Sequence, residues 1–223
     1  MFVSAVFVFG MGACGLAPPK YLGEDSYEYF PFDGTRTWEF INADPNVSYK
    51  LVATQLAETT LVDGRNVYSI EHAAECVAAD EACVEGAILR TVRWSSSGTD
   101  GVFIHGVLVG AVDAVFDPAI TVASEKMLVD GEPWETATSD GDWTSDLTLK
   151  EVCPVVLQGD WESCSVFEVD DQESSSAHAD IAGTYWANVG YNVVAFDLTD
   201  DDVDRWELSS VVCAENDPCD GVW

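Results

Sequence analysis

The chain has 223 residues, 48% of them hydrophobic, eight of them Trp, and a formal net charge of −31 at pH 7. That apolar content suits one packed β domain and excludes a disordered acidic polymer. A surface this acidic repels phosphate backbones and anionic headgroups, which argues against nucleic acid as a partner and against electrostatic adsorption to anionic lipid.

Residues 1–13, "MFVSAVFVFGMGA", carry no charged side chain. They are apolar from Phe2 to Phe9 and end in small residues, the pattern of a secretory signal peptide and its cleavage site. The segment is too short for a spanning helix, which needs about 20 residues. No Lys or Arg precedes the apolar run, so either the true start lies upstream or the Met1 amine supplies the only positive charge ahead of it. Met11-Gly12-Ala13-Cys14 then resembles the bacterial lipobox. That resemblance implies a diacylglyceryl thioether on Cys14, cleavage just before it, and acylation of the new amine. Several acyl chains at about 0.8 kcal/mol per buried methylene make a durable anchor. Gly15 follows the cysteine where Asp would favour inner-membrane retention, so the outer membrane is expected. Residues 14–28 read as a lipid-anchored acidic tether stiffened at Pro18-Pro19, and residues 29–223 as a single β domain.

Beyond residue 35 the hydrophobic period is two. In "NVSYKLVAT", Val47, Tyr49, Leu51 and Ala53 alternate with polar neighbours. In "VDRWELSSVV", Trp206, Leu208 and Val212 face one way and Arg205, Glu207 and Ser209 the other. "GVFIHGVLVG" and "YNVVAF" are apolar enough to be covered on both faces. The expected strands are 36–42, 47–56, 65–71, 86–94, 102–109, 111–116, 143–152, 163–169, 183–188, 191–197 and 203–212. Asp-Gly recurs six times, at 33–34, 63–64, 100–101, 130–131, 140–141 and 220–221, and marks hairpins. "DDQESSSAHAD", 170–180, reads as an exposed loop. The fold class is therefore all-β: a curved antiparallel sheet closing as a sandwich or partial barrel, with little helix.

With Cys14 set aside for lipid, six cysteines remain in three local couples: Cys76/Cys83, Cys153/Cys164 and Cys213/Cys219. An even set in an exported chain points to disulfides and an oxidising compartment. Short loops of this kind contribute about 2–3 kcal/mol each when unstrained. "EHAAECVAADEAC" looks helical by composition. Seven helical residues advance about 10.5 Å, whereas bridged Cα atoms lie about 5.5–6 Å apart. A short helical turn or a hairpin is expected instead. Zinc is disfavoured because no CxxC occurs and His72 is the one histidine near a cysteine.

Three phrases resemble exported bacterial lipoproteins of a β-rich, largely uncharacterised group. They are "YFPFDGTRTWEF" (29–40), "FDPAITVASEKMLVDGEPWET" (116–136) and "YWANVGYNVVAF" (185–196), the last like that group's late pair of strands. The resemblance implies no catalytic residues. "NVGYNV" departs from the Gly-Val-Gly form more usual there.

The residues offer few sites. Trp38, Trp134, Trp143, Trp186 and Trp206 are expected in the core, although eight tryptophans leave room for a carbohydrate-stacking surface. Ser176, His178 and Asp180 sit close in a polar loop, which lacks the buried orienting carboxylate and oxyanion hole of a hydrolase. Paired carboxylates for glycosidic chemistry are not selectable among 40 acids. Asp200, Asp202 and Asp204, and separately Asp140, Asp142 and Asp146 in a turn, are the candidate Ca²⁺ ligands; neither stretch is an EF-hand loop, and a solvated acidic edge is the simpler reading. His72 and His105 read as structural. The sequence thus predicts a lipid-anchored envelope protein acting as a non-catalytic binding or structural module, without a cofactor. Its partners are the membrane, through the anchor, and a protein or carbohydrate. The alternatives are a calcium-dependent adhesive or carbohydrate-binding module and an envelope hydrolase.

Overall fold

The structure is a computed structural model and describes residues 36–77, 83–97, 101–124, 133–139, 141–150, 164–172, 181–188, 192–199 and 205–212. Their strands are β1 (Thr37–Asn42), β2 (Tyr49–Val62), β3 (Arg65–Cys76), β4 (Ile88–Ser97), β5 (Gly101–Val109), β6 (Val112–Ala123), β7 (Trp134–Thr138), β8 (Gly141–Lys150), β9 (Cys164–Asp171), β10 (Gly183–Asn188), β11 (Asn192–Leu198) and β12 (Trp206–Val212). They form one antiparallel sheet in the order β6-β5-β4-β3-β2-β1-β12-β11-β10-β9-β8-β7. Every neighbour but one is a sequence neighbour. The exception, β1 with β12, joins the two halves and curls the meander into a nearly closed barrel.

The seam lies between β6 and β7. There Ser139 N donates to Asp117 O at 2.8 Å and Thr121 N to Thr136 Oγ1 at 3.4 Å. Pro118 falls in β6, one of the two strands at the seam, where a missing N–H costs no ladder bond on the open side.

The alternation read from sequence places the core. Trp38, Phe40, Leu51, Ala53, Ile70, Val92, Trp94, Trp143, Phe167, Tyr185, Phe196, Trp206 and Leu208 are buried inside the barrel. Aromatic rings span it. Phe196 lies 5.2 Å from Phe40 and 6.4 Å from Trp206, and Tyr185 stacks on Phe167 at 5.2 Å. β5 is buried on both faces from Gly101 to Val107, as its apolar run predicts. Asp63-Gly64 closes the β2–β3 hairpin with φ of 49° and 79°, the positive pair that a two-residue turn of this hand requires. Tyr185 opposes Phe196, so the late pair of strands is a hairpin pair.

Three expectations are corrected. β7 was not foreseen, because "WETAT" holds too few apolar residues to show a period. β2 and β6 run several residues past their expected ends, to Val62 and Ala123. Of the two forms expected around Cys76 and Cys83, a short helical turn or a hairpin, the structure has the hairpin: "EHAAEC" ends strand β3, which pairs with β4, and the disulfide ties the two arms. Val212 does not share the face of Trp206. A register shift opposite Glu39/Phe40 inserts Ser209, after which Val211 packs on the core and Val212 is exposed.

Candidate functional site

Of the residues singled out in sequence, Cys76 and Cys83 are joined, with Cα atoms 5.9 Å apart. Glu85 secures the same hairpin by accepting the Cys76 N–H at 2.8 Å. Cys164 begins β9, opposite Lys150 of β8. Cys14, Cys153, Cys213 and Cys219 lie outside the described residues, as do Asp200, Asp202 and Asp204, Asp140, and Ser176, His178 and Asp180. Asp142 and Asp146 do not share a turn. Both are exposed on strand β8, four residues or about 13 Å apart, and cannot share one ion. Among the described residues no three His, Cys, Asp or Glu side chains gather as a metal site.

Three places in the barrel have the form of a site. The first is a small interior cavity of about 40 Å³, lined by Trp38, Phe40, Ala53, Ile70, His72, Trp94, Tyr185, Val193 and Phe196. Its polar wall is built across β3 and β4, where Arg90 Nε donates to His72 Nδ1 at 2.9 Å and the guanidinium lies 5.2 Å from the Phe196 ring centroid. Burial first, and then the Arg90 charge, hold His72 well below the usual histidine range. The neutral ring therefore carries its proton on Nε2. Tyr185 is tied by its hydroxyl to Ile181 O at 2.7 Å. A space of 40 Å³ takes two or three waters. Ligand sites for small molecules run to about 300–1,000 Å³, well above the volume of this cavity.

The second is a buried Ser–His pair. Ser95 Oγ and His105 Nε2 are 2.7 Å apart. Burial lowers the His105 pKa to about 4, with help from Arg65 and Arg93, while the Asp63 charge opposes the shift. The three residue types are those of a nucleophilic triad. Ser95 is fully buried, however, and its hydroxyl is engaged by the His105 ring. The pair is a satisfied buried hydrogen bond, which is the structural role expected of His105.

The third is a set of open grooves on the outer wall. One, of about 230 Å³, is lined by Glu168, Asp170, Gly183, Thr184, Asp197, Leu198 and Thr199. Another, of about 340 Å³, includes Glu135, Asp142, Thr144 and Gln172. Glu168 and Asp197 both oppose Thr184, on strands either side of it, so their backbones are about 9.6 Å apart. These are hydrated acidic faces. Trp38, Trp143 and Trp206 are buried in the core, and Trp134 and Trp186 pack partly against it. The Arg205 guanidinium lies 5.5 Å from the Trp186 ring centroid and is held there by Glu207. That cover leaves Trp186 a poor stacking platform for a sugar.

Sequence reasoning missed the Arg90–His72 and Ser95–His105 pairs. Each joins neighbouring strands through a register that the residues alone do not reveal. No family model matches the chain, and no curated protein or solved structure matches it.

Proposed function

We propose that this protein is an exported, lipid-anchored module of the cell envelope that binds or braces through its outer wall and performs no catalysis. The observation that carries this reading is the filled barrel. Trp38, Phe40, Trp94, Tyr185 and Phe196 occupy its middle, and the cavity among them holds only a few waters, which favours the outer surface as the place where a partner meets it. The Cys76–Cys83 bond fits an oxidising compartment. The apolar segment ending at Met11-Gly12-Ala13-Cys14 supports export and acylation.

Intact mass and acyl labelling of the membrane fraction test the anchor. The wild-type chain is expected to lose residues 1–13 and to carry lipid on Cys14, and Cys14→Ser to lose the label and leave the membrane. A mature chain with a free Cys14 thiol would overturn the reading.

A further inference from the structure

The outer wall of β4, β5 and β6 carries four exposed aliphatic side chains: Ile88 at 56%, Leu89 at 40%, Leu108 at 38% and Val115 at 57% of full exposure. Their placement is set by register. His72 opposes Arg90 and Ala73 opposes Ile88, which leaves Leu89 as an extra residue in β4. This bulge lets two consecutive residues reach solvent where strict alternation would turn one inward. Leu108 opposes Thr91 on one side and Asp113 on the other. Leu89 and Val115 each lie two residues from those partners, and both are diagonal neighbours of Leu108 at about 7–8 Å. Leu89, Leu108 and Val115 thus fall on one diagonal across three strands, crossed between Leu108 and Val115 by the Arg93 guanidinium, which lies over Gly106 and pairs with Asp113.

Carboxylates border it. Glu71 opposes Thr91 on β3, and Asp113 and Asp117 stand exposed on β6. The nearby cation, Arg93, is engaged by Asp113 and donates to Ala114 O at 2.7 Å. We infer that this strip docks a partner protein presenting an aliphatic ridge flanked by Lys or Arg. Burial of the aliphatic diagonal supplies affinity, and the acidic border steers and selects the basic partner. A second copy of the chain would bring two charges of −31 together, and an anionic bilayer would be repelled. The inference deepens the binding-module reading and rests on it.

The test uses the full chain and two synthetic amphipathic helical peptides with the same leucine face. One bears Lys on its polar face and the other Glu. The Lys peptide is expected to bind, more weakly at 500 mM than at 50 mM salt. Leu89→Thr with Val115→Thr places β-branched residues, which suit strands, at both exposed positions and is expected to weaken binding at least tenfold. Leu61→Thr with Val62→Thr, an exposed apolar pair beside the Asp63-Gly64 turn, is expected to leave it unchanged. The inference fails if the Lys peptide does not bind, if both double variants behave alike, or if the Glu peptide binds equally. It also fails if sedimentation shows a dimer, or flotation shows binding to phosphatidylcholine vesicles, that the Leu89/Val115 variant abolishes. Acylation of Cys14 is scored in the same variants. Its loss would count against the anchored-module reading, and a peptide result alone bears on the strip.

Discussion

Arg90 Nε donates to His72 Nδ1 at 2.9 Å from the neighbouring strand, and that single bond settles the state of the histidine. A guanidinium has no acceptor, so Nδ1 must be bare and the imidazole neutral. Burial and the adjacent positive charge act in the same direction. Nitrogen-15 spectra should show His72 as the Nε2–H tautomer through the range near pH 6.5 where an exposed histidine protonates. Titration of His72 near pH 6.5 would contradict the pairing.

His105 makes stability depend on pH. Its folded pKa, about 4, lies below the unfolded value of about 6.5. Between those values the unfolded chain binds a proton that the folded chain does not, so stability rises with pH across the window. Its contribution is complete above about pH 6.5, falls as pH drops towards 4, and levels off below. The full effect is on the order of 3 kcal/mol. His105→Gln keeps a partner for Ser95 and removes the titration. Melting curves should show a smaller loss between pH 6.5 and pH 4 for the variant than for the wild type. Parallel curves would show that His105 is not buried neutral.

Phe196 is the hub of the aromatic core, in ring contact with Phe40, His72, Tyr185 and Trp206. Phe196→Ala is expected to cost about 3–5 kcal/mol in denaturant unfolding, through lost burial and the cavity left behind. Trp186→Ala removes a larger side chain from the outer wall. It should cost clearly less, because Trp186 is only partly buried and can be replaced by water. Equal costs would argue against a single core inside the barrel.

Two glycines separate backbone strain from crowding. Gly101 has φ +119°, and a Cβ there would lie 2.0 Å from Ala123 O. Gly110 has φ +59° with nothing within 4 Å. Gly110→Ala should cost about 1 kcal/mol, the ordinary penalty of a left-handed residue. Gly101→Ala must also push β5 from β6 and should cost well over twice as much by the same unfolding measurement. Similar losses for the two variants would show that β5 and β6 are not held as closely as Gly101 implies.

Much of the fold was legible because a strand writes its buried face into alternate residues. Leu51 and Ala53, Trp206 and Leu208, and the doubly covered β5 were all readable in this way. Asp63-Gly64 announced its hairpin because few other pairs accept two positive φ angles. The spacing of Cys76 and Cys83 excluded a continuous helix, since a disulfide has a fixed reach. The two acidic runs were legible only as charge. Separation along a strand decides whether carboxylates converge, and Asp142 and Asp146 are held apart by the rise of β8.

By itself, then, the sequence determined an all-β chain, the inward face of most strands, a short disulfide loop and a strongly negative net charge. These follow from local periodicity, loop reach and summed charge, none of which needs a partner strand to be known. Tertiary structure alone decided the pairing of β1 with β12 that curls the sheet, the filling of its interior, and the union of Arg90 with His72 and Ser95 with His105. It also decided that one extra residue at Leu89 and another at Ser209 would re-aim the side chains beyond them. Register is a relation between strands, and a shift of one residue exchanges inside for outside without altering a single letter of the chain.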